Sequence, residues 1–359
     1  MRAAVLNAFG SPLSIEVLPD PTLGTGEIIV DVVAAGVLPY AAEVLSGERK
    51  YLLTLPAVPG AGAIGRVRAV GPDATRLNVG DWVSCDPTVR ARDDALTPDI
   101  TLQGISARGD GGLRLQEHFR HGSYAERILV PTENVFPIGQ IDPGDASRWT
   151  ALNLLLVPYG GFLAANLKAG ETVLISGATG NFGSAAVAVA LAMGAACVVA
   201  PGRNEGMLGE LSRRFGPRVR TVTLTGDEAE DRARMIAAAP GPIDCVLDIL
   251  PPSAPAKATR AAAMSVREYG RVVLMGGVGM LGGNDLALPY PWVMRNCITI
   301  IGQWMYRPEA NVRMIQLVRS GLIDLSQWEV AEFDLVHANE AVAHAAAHGG
   351  PFKLDVIRP

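Results

Sequence analysis

From residue 172 to 304 the chain alternates short apolar, β-branched runs with longer stretches spaced for helices. "TVLIS" (172–176) leads through a glycine turn into an alanine-rich helix, and "CVVA" (197–200) follows. A polar helix near Met207–Phe215, "RTVTL" (220–224), a helix over Asp227–Ala239 and "DCVLDIL" (244–250) continue the alternation. A helix near 253–266, "GRVVLMGG" (270–277) and "CITIIGQW" (297–304) complete it. Strands apolar on both faces, joined by connections long enough to cross over, predict a doubly wound parallel sheet of α/β type.

Residues 1 to about 156 follow a different pattern. "AAVLNA", "LSIEVLP", "EIIVDVVAAGV", "AIGRVRAVG", "DWVSCD" and "YAERILVP" are short strands broken by Gly, Pro and Asp turns. They predict an all-β, barrel-like module. The last stretch, "FKLDVIRP", reads as one more strand returning to it. The expected domains are therefore 1–156, completed by 305–359, and an inserted α/β domain over 157–304.

The glycine turn lies between the first strand and the first helix of the α/β series. Gly177, Gly180 and Gly183 recur at a spacing of three. The first suits backbone angles that a Cβ forbids, the second lets a ligand reach the main chain, and the third lets helix and strand pack closely. A helix N-terminus there favours a pyrophosphate. A tight turn uses glycine without any ligand, but the five alternations that follow favour a dinucleotide fold.

The second strand bears on which dinucleotide. Where an NAD-binding fold places a ribose-binding carboxylate, this chain has Gly202, followed at once by Arg203 and Asn204. A missing carboxylate beside a guanidinium suits a 2′-phosphate, so NADPH is expected over NADH. A solvated loop arginine is the alternative reading of Arg203.

Charge and composition narrow the class. The 359 residues are 49% hydrophobic and 19% charged, with a formal net charge of −5 and no long basic run, which argues against a nucleic-acid partner. The longest apolar run, 185–200, contains Gly194 and is too short to cross a membrane. The N-terminal stretch lacks the plan of a secretory signal, so a cytoplasmic protein with no membrane partner is expected. Cys85, Cys197, Cys245 and Cys297 lie far apart in apolar contexts and are expected to be buried thiols.

Across nearly its whole length the chain resembles the medium-chain dehydrogenase/reductase superfamily, and within it the zinc-free branch of quinone-reductase-like and enoyl-reductase-like proteins. The residues that carry the resemblance are "AAGVLPYAAEVLSG" (34–47), "VPGAGAIGRVRAVG" (58–71), "NVGDWVSCD" (78–86), "GSYAERILVP" (122–131), "LKAGETVLISGATGNFG" (167–183) and "GPFKLDVI" (350–357). The resemblance implies a GroES-like β-barrel catalytic domain and a Rossmann cofactor domain. It also implies a homodimer joined through the strand in "CITIIGQW". The cofactor-binding residues it implies, with the glycine turn, are Tyr159, Gly177, Thr179, Gly180, Asn181, Phe182, Gly183, Gly202, Arg203, Asn204, Gly276 and Gly277.

The departures from the zinc enzymes of the superfamily bear on the chemistry. Those enzymes carry Cys where this chain has Leu38, and a His-Glu pair where it has Ala61-Gly62. None of the three can ligate a metal. Their cysteine-rich lobe is replaced by residues 89–121, which hold no cysteine. No metal is therefore expected. Of the two histidine pairs, His118/His121 and His344/His348, the second has helical spacing and reads as exposed helix histidines with no carboxylate partner nearby.

Without a Lewis acid, a conjugated acceptor is the easier substrate: hydride goes to the β-carbon of an enone, enal or quinone, and a proton follows. Tyr40, two residues after the vanished cysteine, and Tyr51 are the candidate proton donors. Leu38 and Trp304 are expected to wall the pocket of a small-molecule carbonyl substrate. The competing expectations are a zinc-independent alcohol dehydrogenase or carbonyl reductase, and a non-catalytic NADP-binding sensor or structural protein.

Overall fold

The computed structural model describes residues 1–359. The chain divides into two units: Met1–Asn153 with Leu325–Gly349 and Lys353–Pro359, and Leu154–Asp324 with Gly350–Phe352.

The first unit is built around one long strand. β1 (Arg2–Val5) and β2 (Ser14–Val17) form a hairpin, and β3 (Glu27–Val37) follows. A short helix, α1 (Ala41–Leu45), precedes β4 (Ala63–Val70) and β5 (Trp82–Cys85). The cysteine-free stretch forms a small antiparallel sheet of β6 (Thr88–Arg90), β7 (Ile100–Leu102) and β8 (Ser106–Arg108), then α2 (Gly109–His118). β9 (Arg127–Pro131), β10 (Val135–Pro137) and α3 (Ala146–Trp149) close this part of the chain.

The second unit begins with α4 (Leu152–Ala164), whose first two residues belong to the first unit. The alternation then runs β11 (Thr172–Ser176), α5 (Asn181–Ala192), β12 (Cys197–Gly202), α6 (Glu205–Phe215), β13 (Val219–Thr223), α7 (Glu228–Ala238), β14 (Cys245–Asp248), α8 (Ala256–Ala263), β15 (Arg271–Leu274), α9 (Tyr290–Arg295) and β16 (Thr299–Gly302). α10 (Glu309–Arg319) ends the unit, and β17 (Glu329–Asp334), α11 (Ala338–His348) and β18 (Lys353–Arg358) return to the first.

In the first unit β3 is the hub of a seven-stranded sheet with spine β10-β5-β4-β3-β18-β17. Its first half pairs with β9 on one edge (Glu27 opposite Pro131 through Asp31 opposite Arg127). Its second half pairs with β18 (Ala35 opposite Ile357, Val37 opposite Asp355). Two register shifts against β4, at Ile29/Val30 and Val32/Ala34, bend it between the two partners. The apolar faces of these strands meet in one core that includes Leu6, Ile28, Val30, Val83, Tyr124, Ile128 and Ile357.

The six strands of the second unit are all parallel, in the order β13-β12-β11-β14-β15-β16. The order reverses between β11 and β14, which creates a crevice at their C-terminal ends where ligands of open α/β sheets bind. Val173, Leu174, Ile175, Val246 and Leu247 of the central strands are fully buried, as strands covered on both faces must be.

Three sequence expectations need correction. Residues 305–324 belong to the second unit, because the amphipathic α10 buries Ala310 and Met314 there. α4 also packs against the residues preceding α10: a Cβ at Gly160 would lie 2.6 Å from Met305 O. Cys297 is exposed, because α9 ends just before it and the chain turns there with φ +52°. The other three thiols are buried. The pair His344/His348 does have a carboxylate beside it: Asp355, on β18, bonds His344. No helix is long and apolar enough to cross a membrane.

Candidate functional site

The pocket of the first unit gathers residues from five segments. Leu38, Tyr40, Ala41, Val44 and Leu45 come from the end of β3 and α1, Pro59, Gly60 and Ala61 from the turn before β4, and Gly104, Ile105 and Tyr124 from farther along. The cavity itself is small, about 20 Å³. Tyr51 and Leu102 pack with Leu38 and Tyr40 on the same apolar cluster. Leu38, Tyr40 and Tyr51 are thus brought together, although thirteen residues separate the first from the last.

A buried cation joins the two phenols. The guanidinium of Arg49 stacks 4.0 Å over the Tyr40 ring, and its Nη1 donates to Tyr51 Oη at 3.4 Å. Its Nε donates to Glu43 at 2.8 Å, and its side chain is only 10% exposed. Burial pushes the Tyr40 phenol above its ordinary range and neighbouring Tyr51 adds to this, while Arg49 pulls the other way. Tyr124 is also raised, by burial first and then by the charge of Asp355 and by Tyr40. Its ring lies against Gly60 (φ +107°), where a Cβ would come within 2.5 Å of Tyr124 Cδ1.

The positions of the missing metal ligands sit on this pocket. Leu38 and Ala61 line it. At Gly62 (φ +65°) a Cβ would meet Cys85 O at 2.7 Å, so a ligating side chain would not fit there. Burial pushes the nearby Cys85 thiol up to about 12, so it stays protonated at neutral pH. Asn153 Nδ2 donates to Ala61 O at 2.9 Å. No group of three or more His, Cys, Asp or Glu side chains suited to a metal ion is present. The donor set does not fit a zinc ion.

In the second unit the glycine turn joins β11 to α5. Gly177 adopts φ +97°, and a Cβ at Gly183 would come 1.9 Å from Gly177 O, so only glycine permits this approach. At Gly180 a Cβ would have nothing within 4 Å except Gly177 O at 3.3 Å, leaving the main chain open. Gly180 caps α5 with no side-chain cap, and the first N–H groups of a helix have no partner within it. Such a cradle fits a diphosphate.

The other predicted cofactor residues cluster around this turn in part. β12 runs to Gly202, two residues beyond the predicted strand, and a Cβ there would meet Thr179 Cγ2 at 2.4 Å. Thr179, Gly202 and the exposed Arg203 therefore adjoin. Asn181 Nδ2 donates to Gly350 O at 3.1 Å, and Phe182 is half-buried beside it on α5. The Asn204 carboxamide caps α6 by accepting from Met207 N at 3.1 Å. Tyr159 is buried on α4 with its hydroxyl bonded to Arg313. Trp304 follows β16 in the second unit and is 47% exposed.

Gly276 and Gly277 follow β15. Gly276 lines a second pocket with Asp248, Thr259, Leu274 and residues 278–280 and 283–286. Burial pushes the Asp248 carboxyl up to about 6, against hydrogen bonds from Thr259 and Ser176. The residues missed by sequence reasoning are Arg49, Tyr124, Asn153 and Asp248. Tyr124 stands in the "GSYAERILVP" stretch that carried the resemblance, which was the one available signal.

A β-barrel unit around a hub strand, with a six-stranded parallel sheet and a glycine turn at its first strand, is a GroES-like domain beside a Rossmann-like one. Residues 24–140 match the alcohol dehydrogenase GroES-like domain. The chain is 27% identical to an alcohol dehydrogenase of Geobacillus stearothermophilus over 84% of each protein. It is 26% identical to the sorbitol dehydrogenase of Bacillus subtilis over 96% of this chain and 93% of that one. Its fold matches a thermostable alcohol dehydrogenase from Pyrobaculum aerophilum (TM-score 0.76, 22% identity, 100% and 99% of the two chains). It also matches a protein described as a zinc-binding dehydrogenase, from Sinorhizobium meliloti and bound to NADP (TM-score 0.79, 20% identity, 100% and 99%). The chain is thus similar, over most of its length, to oxidoreductases of the medium-chain alcohol dehydrogenase superfamily.

Proposed function

We propose that the protein is an NADPH-dependent reductase of activated double bonds that works without a catalytic metal, in the zinc-free branch of its superfamily. The observation that carries this reading is the replacement of the three ligand positions by Leu38, Ala61 and Gly62 around an apolar pocket whose reactive groups are phenols.

A dinucleotide held here would supply the hydride. Gly177, Gly180 and Gly183 would cradle its diphosphate, Arg203 would meet its 2′-phosphate, and Gly276 and Gly277 would flank it at the crevice. Leu38, Val44 and Ile105 exclude water from the acceptor. Tyr40 donates a proton as charge develops on the substrate carbonyl oxygen, and Arg49 adds its field from the far side of the Tyr40 ring. A neutral phenol with a raised pKa keeps its proton until that charge appears.

The unpaired edge of β16 favours a homodimer. Ile300 on that strand is 40% exposed, as is much of Met294 and Tyr290 on α9 before it. Joining two such edges extends the sheet and covers them.

A second reading, carbonyl reduction or alcohol oxidation by the same residues, is favoured by the names of the matched relatives. One assay separates the two. NADPH and NADH oxidation is followed against enones, quinones, ketones and aldehydes, with and without a chelator. The expected result is turnover of enones or quinones with NADPH and indifference to the chelator. Turnover confined to saturated ketones supports the second reading, and strong inhibition by chelator overturns the metal-free mechanism.

A further inference from the structure

Tyr40 and Tyr51 pack on one apolar cluster, yet each hydride delivered needs only one proton. The cation between them treats them differently. Tyr40 lines the pocket and caps the start of α1, and the Arg49 guanidinium covers one face of its ring, 4.0 Å from the ring centre. The Tyr51 ring is farther from that cation, at 5.9 Å, and meets it through its oxygen, which accepts from Arg49 Nη1 at 3.4 Å. One buried charge therefore serves Tyr40 by its face and Tyr51 by its edge.

Arg49 is fastened twice to a single residue. Its main-chain N–H donates to Glu43 O at 3.1 Å, and its Nε donates to Glu43 Oε2 at 2.8 Å. Glu43 stands in the first turn of α1, the same five-residue helix that Tyr40 caps. Tyr40, Glu43 and Arg49 thus form a closed clamp from ten consecutive residues, with Tyr51 on its far edge.

We propose that Arg49 is a positioning residue for Tyr40, and that Glu43 and Tyr51 hold it there, so that Tyr51 is a prop and not the proton donor. The inference rests on the reading of Tyr40 as the group that protonates the substrate. When that proton passes to the substrate oxygen, the Tyr40 O–H bond breaks and its electron pair stays behind as a phenolate. The guanidinium on the ring face then balances the charge that spreads over the ring. Water returns a proton to Tyr40 between turnovers, and Arg49, Glu43 and Tyr51 end each cycle unchanged.

The electrostatics suit such a clamp. Burial works against the charge of Arg49, but the bond to Tyr51 and the charges of Tyr51, Glu43 and Tyr40 outweigh it and hold the guanidinium above its ordinary range. Arg49 is therefore a fixed cation and no proton source. The planar fork matters as much as the charge. A lysine ammonium is a compact point charge, which cannot cover one ring while holding a carboxylate and a phenol.

The test uses the full-length protein with NADPH and its best acceptor. Arg49→Ala is expected to lower kcat about tenfold with little change in KM, and guanidinium ion, far below unfolding concentrations, to restore part of it in a dose-dependent way. Arg49→Lys is expected to be nearly as slow, because the ring face is uncovered. Glu43→Gln and Tyr51→Phe are expected to lose only about threefold each, and to add nothing to the loss in Arg49→Ala, because both act through Arg49. Wild-type kcat in Arg49→Ala, a loss that guanidinium ion leaves untouched, losses that add in full, or a Tyr51→Phe loss as large as that of Tyr40→Phe each overturn the clamp. Should Arg49→Ala fail to fold, Arg49→Lys alone and combined with Glu43→Gln decides by the same comparison. A wild-type enzyme that reduces saturated ketones but no enone overturns the double-bond reading alone, because the same variants still decide the clamp. An enzyme inert to both overturns both.

Discussion

The glycine turn of the second unit and the pocket of the first present two ways of building a site. At the turn, seven consecutive residues suffice, and the shape comes from backbone: Gly183 touches Gly177 O, and Gly180 is left open. The pocket draws on Leu38, Tyr40, Pro59, Ile105 and Tyr124, held in place by β3, α1 and the turn before β4. Its shape comes from side chains that touch only after the barrel closes. The first kind of site tolerates almost no added atom and little depends on what surrounds it. The second tolerates changes of residue type, and its chemistry is set by which type is present.

The contrast can be broken most sharply at Tyr40. Tyr40→Phe keeps the ring over Arg49 and removes one oxygen, so kcat is expected to fall by about 10²-fold or more while NADPH affinity stays unchanged. Steady-state kinetics beside a fluorescence titration check this, and a small loss in Tyr40→Phe with a large one in Tyr51→Phe would move the donor to Tyr51. Next comes the backbone site. Gly183→Ala places a methyl 1.9 Å from Gly177 O and is expected to destabilise the protein by on the order of 1–3 kcal/mol and to weaken dinucleotide binding. Urea unfolding with an unchanged midpoint would show slack in the turn. The smallest effect is expected at the exposed Arg203. Arg203→Ala should weaken NADPH by about 1 kcal/mol, roughly fivefold, and leave NADH alone. Equal losses in a pair of titrations would remove the case for a 2′-phosphate contact.

The same contrast explains what could be read from the chain. "TVLIS" is a strand at the predicted residues, and β3 spans the predicted "EIIVDVVAAGV", because both are apolar runs bounded by polar turns. β12 outran its prediction since Pro201 and Gly202 discourage a strand locally, yet both stay paired with β13. α4 was not foreseen: "LNLLLVPYGGFLA" is apolar all round and holds Pro158 and two glycines, so its helix depends on burial. The sheet of β6, β7 and β8 has strands of three residues, too short for an alternating pattern to stand out. Tyr40 and Tyr51 were legible as chemistry through their place near Leu38. Arg49 sits in a polar run whose burial no local pattern announces, and Asp355 meets His344 because α11 packs back on β18, the strand that lies beside β3.

That last pairing has a consequence for how the molecule is made. Ala35 to Val37 of β3 are made some 320 residues before their partners, Asp355 to Ile357. The amino-terminal barrel must hold an open seam while the whole inserted unit is translated and folds. A ribosome that stops before Lys353 leaves that seam unstitched, with an exposed strand edge ready to capture a neighbouring chain.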